Sequence, residues 1–305
     1  GSLTLPESRR EPYSPGVTMK HIPIRKIHIL ARHDSSSASL RIRSIEDSMT
    51  DHDRDHGTHR HEFYFILIVK RGSGTHEVDF VTYDVQDHSV FVLRPGQVHQ
   101  LTLAPSCTGY LIEFTPGFAH HYTGFAKKLF RRVSQRSHAL LTSESIARLT
   151  NIVGDMQHEQ SMGLLGSHEA IHAHFTLFIT ELVRATTASN SDAPDHTPIE
   201  QERFEELVYL IEHHLSEWKL PSDYARGLHI SLYQLNALTR SMVGKTCSEL
   251  INEHIVVEAK RQLLATSAQV KEIGYLLGYD DPSYFIRFFK KHTGHSPDAF
   301  RKQHR

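Results

Sequence analysis

Cysteine is scarce in this 305-residue chain: Cys107 and Cys247 stand far apart in unlike contexts. That argues against a disulfide framework and a cysteine-based zinc site, and it fits a reducing cytoplasm. Long hydrophobic runs are missing as well. The longest purely apolar or aromatic stretch, Phe63 to Val69, is far short of the roughly 18 residues of a membrane span. No charged-then-apolar signal segment opens the chain, and Gly1-Ser2 reads as an expression scar. A cytoplasmic location with no membrane partner is the expectation. Excess charge is also lacking: 34 Lys and Arg face 35 Asp and Glu, a formal net charge of −1. Taken whole, that balance argues against a nucleic-acid partner. The 39% of hydrophobic residues is nevertheless enough for real cores and excludes wholesale disorder, and the length suggests about two domains.

Divided by segment, the charge reads differently. Lys219 to Arg305 holds 13 basic and 8 acidic residues, a balance of +5, and residues 1–218 carry −6. An acidic body joined to a basic end is an asymmetry that suggests two different tasks.

Residues 20–115 are rich in short β-branched and aromatic runs broken by turn residues. Phe63–Val69, Ser89–Leu93 and Tyr110–Phe114 are the clearest strands, with turns at Gly72-Ser73-Gly74 and Arg94-Pro95-Gly96. Many short strands at this spacing predict a barrel or sandwich. After Pro116-Gly117 the period becomes helical. Helices are predicted over about 118–132, from an N-cap at Ser143, and over about 167–187. Ile146, Leu149, Val153 and Met156 form the candidate subunit seam, with intramolecular packing as the alternative. The polar stretch 188–198, with two prolines, is the best linker.

Beyond the linker everything reads as helix. Ser231 caps a helix ending near Met242, with Gly244 just past it. Leu235, Leu238 and Met242 face a core, while Tyr233, Asn236, Ala237 and Arg240 share another face. A shorter helix precedes it, completing a helix-turn-helix. The pattern recurs. Ile273, Leu276 and Leu277 mark a short helix closed by Gly278, and Asp281-Pro282 starts the next. There Phe285, Phe288 and Phe289 are the buried side, and Ser283, Arg287, Lys290 and Lys291 the polar one. The helix between the units, Cys247 to Ala265, is roughly 28 Å long at 1.5 Å per residue. Major-groove segments on one face of B-DNA recur every ~34 Å. Two recognition helices joined by such a rod suit successive major grooves.

The run Ala259-Lys260-Arg261-Gln262-Leu263-Leu264, followed by Val270 to Pro297 with its Gly274-Tyr275-Leu276-Leu277-Gly278-Tyr279 and Ser283-Tyr284-Phe285-Ile286-Arg287-Phe288-Phe289-Lys290-Lys291 segments, closely resembles the signature of the AraC/XylS family of bacterial transcription regulators. The resemblance covers about residues 205–303. It implies base-reading roles for Tyr233, Asn236 and Ala237 in the first unit, and for Ser283, Tyr284 and Arg287 in the second. Where the family often has Arg and Phe in the first recognition helix, this chain has Ala237 and Thr239. That unit would then read DNA through Tyr233, Asn236 and Arg240, or by shape. Arg287 is the strongest physical candidate, because a guanidinium can grip guanine O6 and N7 together. Lys290 and Lys291 suit phosphates.

His59-Arg60-His61 and, downstream, Pro95-Gly96-Gln97-Val98-His99 resemble the two motifs of cupin barrels, over about residues 40–115. AraC-type regulators often place such a barrel before the DNA-binding domain. Alternation puts His59 and His61 on one strand face. The position where metal-binding cupins carry a carboxylate is Phe65, so the usual anionic ligand is missing. Three histidines alone could still hold Zn²⁺. The reading adopted assigns no metal and no cofactor. It makes His59, His61 and His99 polar anchors and Phe63 and Phe65 apolar walls for a small-molecule effector, with Arg94 or Glu113 as possible complements to a charged one. The bland alternative is that all of these only pack the barrel.

The fold class expected is therefore α+β multidomain: a cupin-like β-barrel with following helices, then an all-α domain with two helix-turn-helix motifs. The expected layout is a tail at 1–19, a barrel at 20–116, a helical dimerisation or packing segment at 117–187, a linker at 188–199 and a DNA-binding domain at 200–305. The function expected is a bacterial DNA-binding regulator, an activator by family default, and not an enzyme. Its partners would be double-stranded DNA, a small-molecule effector, RNA polymerase and a second copy of itself. Two alternatives are a metal-dependent cupin enzyme with a DNA-binding tail, and a regulator whose barrel only dimerises.

Overall fold

A computed structural model of the chain describes residues 24–25, 40–48, 55–119, 124–188 and 197–304. Ten strands lie among the described residues: β1 (Ile24–Arg25), β2 (Leu40–Ser44), β3 (Asp55–His61), β4 (Tyr64–Arg71), β5 (Gly74–Val78), β6 (Val81–Val85), β7 (Ser89–Leu93), β8 (Val98–Leu103), β9 (Thr108–Phe114) and β10 (His138–Leu140). They form two five-stranded sheets, β1-β3-β8-β5-β6 and β10-β7-β4-β9-β2. All pairings are antiparallel except β1 with β3. The β-barrel read from the sequence thus takes the form of two facing sheets that do not close into one, among the described residues.

The second sheet explains why its strands read as continuous apolar runs. Residues Phe65 to Val69 are all buried, because both faces of β4 are covered. Phe65, Leu67 and Val69 point between the sheets, where they meet Val78, Leu101 and Leu103 of the first sheet and Phe91, Leu93 and Leu111 of their own. Ile66 and Ile68 point the other way, with Val90, Val92, Ile112 and Phe114, into a layer of helices.

The described helices of this half are α1 (Ile45–Ser48), α2 (Pro116–Ala119), α3 (Gly124–Ser134), α4 (Ser143–Met162) and α5 (Ser167–Ala188); Ile45 of α1 joins the core between the sheets, and α2 to α5 form the layer. The helix predicted over 118–132 is instead the pair α2 and α3. The cap of α4 is Thr142, whose hydroxyl accepts from the Ser145 N–H, one residue earlier than the sequence suggests. Ile146, Leu149, Val153 and Met156 are at most 4% exposed and pack on Phe175, Phe178, Ile179 and Leu182 of α5. The candidate subunit seam is therefore internal core.

The helical half runs α6 (Pro198–His214), α7 (Pro221–Gly227), α8 (Leu232–Val243), α9 (Cys247–Ala265), α10 (Val270–Leu276), α11 (Pro282–Thr293) and α12 (Pro297–Gln303). Its caps are those the sequence announces. Ser231 and Gln234 make a capping box for α8, and Gly244 ends it in the left-handed conformation. Asp281 caps α11 with Pro282 at the first turn. Gly278 follows α10 with φ 77°, and a Cβ there would lie 1.7 Å from the Ser216 carbonyl oxygen. Only glycine meets both demands. The 1–19 tail and most of the linker, residues 189–196, lie outside the described residues.

The two halves touch at several places, Arg94 with Glu212 and Arg132 with Glu205 among them, and at the tip of the β5–β6 hairpin. Its two loop residues, Asp79 and Phe80, both have positive φ, 48° and 70°, a conformation in which loops of this length favour Asn-Gly. A phenylalanine there is strained. The strain places Phe80 against the core of the helical half, 6.1 Å from the Phe300 ring centroid and 5.3 Å from the Lys260 Nζ. It also places Asp79 on Arg261 of α9.

Candidate nucleic-acid interface and histidine cluster

The two predicted recognition helices present the faces expected of them. On α11, Phe285 and Phe289 are fully buried, which turns Ser283, Tyr284, Arg287, Lys290 and Lys291 outward as exposed residues. Phe288, placed on the buried side by the sequence, is only half-buried and stacks near Tyr279 and His292. Arg287 reaches toward Asp281 Oδ2 at 3.9 Å, a weak contact between exposed groups. Its guanidinium lies 6.0 Å from the Tyr284 ring. Nothing in this geometry would hold it back from a base edge.

On α8, Tyr233 is 84% exposed, and Ala237 and Arg240 are exposed too. Asn236 differs. Its Nδ2 donates to the Leu232 carbonyl and its Oδ1 accepts from the Cys247 N–H, both at 3.2 Å. That side chain ties the middle of α8 to the start of α9, a structural duty its exposed neighbours lack. Thr239, where the family often has a larger side chain, is fully buried. Cys247 is buried as well, and burial pushes its thiol up to about 12.

The effector candidates also converge. His59 on β3 lies directly opposite His99 on β8, and β8 is flanked on its other side by β5. His59, His61 and His99 are 2%, 6% and 2% exposed, so alternation turned them inward as expected. His61 Nε2 and His99 Nε2 are 2.7 Å apart. Phe63 and Phe65 flank His61, with ring centroids at 4.2 and 5.5 Å. The complements suggested for a charged effector go elsewhere: Glu113 accepts from Arg43 Nη2 at 2.9 Å, and Arg94 pairs with Glu212 of α6 across the junction.

Sequence reasoning missed a fourth histidine. His76 on β5 is fully buried, and its Nε2 is 3.0 Å from His99 Nδ1. Burial, with the nearby His59 and His138 adding to it, lowers His76 to about 3, so its ring is neutral. Period-2 alternation with inward Val78 would have found it. The docking of Asp79 and Phe80 had no such signal, because a hairpin loop without glycine does not announce itself.

Comparison with known proteins decides what this arrangement belongs to. Residues 47–175 match the model of the AraC-like ligand binding domain, and residues 224–303 match a helix-turn-helix domain model. Together they span about two thirds of the chain. The protein belongs to the AraC family of transcription regulators. This AraC-family chain is similar to the HTH-type transcriptional activator RhaS of Klebsiella pneumoniae (strain 342), with 21% identity over 250 residues, 80% of this chain and 87% of the relative. RhaS of Yersinia pestis (strain Pestoides F) is 22% identical over 249 residues, 80% and 89% of the two chains. Among solved structures, fatty-acid-bound ToxT from Vibrio cholerae strain SCE256 aligns over 89% of this chain and 97% of its own, at 16% identity and TM-score 0.39. A regulator with an AraC-type DNA-binding domain from Chromobacterium violaceum aligns over 35% of this chain and 96% of its own, at 25% identity and TM-score 0.33. No helix of the AraC-family protein, among the described residues, is long and apolar enough to cross a membrane.

Proposed function

We propose that this protein is a cytoplasmic, effector-controlled transcription activator that reads two successive major grooves with α8 and α11. The observation that carries the reading is the pair of exposed helix faces held at opposite ends of the 19-residue α9. A rod of that length, roughly 28 Å, suits grooves ~34 Å apart once the recognition helices add their own offsets. Arg287 and Arg240 are the base-reading cations, Tyr233, Ala237, Ser283 and Tyr284 supply shape and further base contact, and Lys290 and Lys291 hold phosphates. Asn236 positions α8 more than it reads. The RhaS relatives are named activators, which supports activation, with RNA polymerase as the further partner. A homodimer would match paired sites by symmetry.

His59, His61, Phe63, Phe65 and His99 are the sensing end of this proposal, and the way out is short. Val98, beside His99, donates its N–H to Asp79 Oδ1 at 3.2 Å, and Asp79 holds Arg261 of the rod helix. An effector regulates only if it binds one arrangement of the halves better than the other.

Genome-wide mapping of bound DNA tests the reading. Discrete sites with two half-motifs about 10 bp apart, whose neighbouring genes fall in expression when the protein is removed, are the expected result. Diffuse occupancy would overturn the regulator, and a rise in expression would make it a repressor. A thermal-shift screen of sugars, aromatic acids and fatty acids tests the effector, since a specific ligand raises the melting temperature.

A further inference from the structure

We propose that Lys219 is a positioning residue for DNA recognition: its ammonium clamps the turn after α6 to the turn after α10, and so sets the spacing between half-motifs that the protein accepts. The proposal rests on the two-groove reading above.

Helices α6, α7, α8, α10, α11 and α12 all pack on α9. A single rod fixes the distance between two units, but rotation about its own axis is fixed only by contacts away from it. One such contact joins the units directly. Lys219 Nζ donates to the carbonyl of Leu215, the C-cap of α6, and to the carbonyl of Leu277, the C-cap of α10. The last carbonyls of a helix have no partner within it, and two C-termini here turn their negative ends to one cation. The Tyr279 ring centroid, 5.2 Å from Nζ, is a third contact. Burial pulls the ammonium down to about 8, so at pH 7 it is still mostly charged. Gly278 makes room for the clamp: a Cβ there would lie 1.7 Å from the Ser216 carbonyl oxygen and 3.2 Å from Lys219 Cε.

Both turns lead to the recognition helices. On the first unit, the Trp218 carbonyl accepts from Tyr224 Oη at 2.9 Å. Tyr224 is fully buried in α7, and α7 packs on α8. On the second, the Tyr279 ring stands 5.5 Å from that of Phe285, a fully buried residue of α11. Movement at the clamp is therefore movement of α8 relative to α11. One base pair inserted between half-motifs turns one about 35° relative to the other. Units free to turn about α9 would follow that change, and clamped units resist it.

The operator recovered by genome-wide mapping is compared, as a DNA duplex, with versions one base pair longer or shorter between its half-motifs and with one half-motif alone. The full-length wild-type protein should bind the altered spacings at least roughly tenfold more weakly than the operator. Lys219→Met keeps an unbranched stem and loses the donor. It should narrow that difference to about threefold and leave affinity for one half-motif within about twofold. Lys219→Arg, which keeps a cationic donor, should recover most of the discrimination. Spin labels at Val243→Cys and Ile286→Cys report the clamp without DNA. Both positions are exposed, on α8 and α11 and outside the assigned base readers, and the native cysteines are buried. One narrow distance with Lys219 present, broadened by Lys219→Met, is the expected result. Unchanged spacing discrimination in Lys219→Met, or a loss for one half-motif as large as for the operator, would overturn the proposal. So would a broad distance with Lys219 present, a result that stands even if Lys219→Met does not fold. Wild-type protein that binds one half-motif as tightly as the operator would overturn the two-groove reading instead, and the label distances then decide the clamp.

Discussion

Asp79 accepts two hydrogen bonds from Arg261 across the junction of the two halves, from Nε at 2.8 Å and from Nη2 at 2.6 Å. The same carboxylate accepts from Gln97 Nε2 at 2.6 Å and from the Val98 N–H. Glu258 adds a second anion to Arg261 at 3.1 Å. One strained hairpin tip thus gathers the start of β8 and the rod between the recognition helices.

The Asp79–Arg261 pair is mostly buried, 13% and 18% exposed. Removing one partner leaves the other charge poorly compensated, a loss of about 3–5 kcal/mol when burial is complete and less here. Asp79→Ala and Arg261→Ala should each lower stability, and the double variant should lose less than the sum. Urea midpoints of the four proteins measure this coupling; strict additivity would mean the pair does not join the halves.

Gly278→Ala should be the most costly of the helix-end glycine changes. It meets both a positive φ and the Ser216 carbonyl, whereas Gly244, with φ 72°, has nothing within 4 Å of its would-be Cβ. Gly244→Ala should cost about 1–2 kcal/mol for the left-handed backbone alone. Gly278→Ala should exceed it clearly, read as a drop in urea midpoint at unchanged slope.

Much of the helical half was legible because its signals are local. Ser231, Gly244 and Asp281-Pro282 mark their helix ends by backbone chemistry that needs no distant partner. The histidine pair on β3 was legible because alternation fixes the face of a strand. What stayed hidden depended on distant chain. Ile146, Leu149, Val153 and Met156 look the same whether they meet another subunit or α5. His76 has no motif around it and only its alternation with Val78 to announce it. Asp79 and Phe80 acquire their role only because Arg261 and Phe300 arrive from about 200 residues away.

Asn236 and Tyr233 should separate stability from recognition. Asn236→Ala removes the acceptor of the Cys247 N–H and should cost about 1 kcal/mol, visible in denaturation without DNA. Tyr233→Ala, at an exposed position, should leave the midpoint within about 0.5 kcal/mol and act on DNA affinity. Equal stability of the two variants would remove the structural role given to Asn236.

Acid should weaken the fold before carboxylates titrate. Burial holds the His138 and His254 rings below their usual value of 6.5; around His254 the positive charges of Arg94 and Arg261 add to this and Glu212 opposes it. The unfolded chain binds protons near 6.5 that the native state refuses, so this stability is present above that pH and is lost as pH falls below it. The urea midpoint should be lower at pH 5.5 than at pH 7.5. His138→Phe, which removes an imidazole whose buried Nε2 has no hydrogen-bond partner among the described residues, should shrink the difference. A midpoint that rises on acidification would contradict the assignment.

Guanine-methylation interference on a bound operator tests the two-groove reading most directly. The account expects two clusters of interfering guanines about 10–10.5 bp apart on one face of the duplex for each copy of the chain. Arg287→Ala should erase one cluster, cost about 1–3 kcal/mol and relax sequence preference there. A single cluster, or a pattern and affinity unchanged by Arg287→Ala, would contradict it.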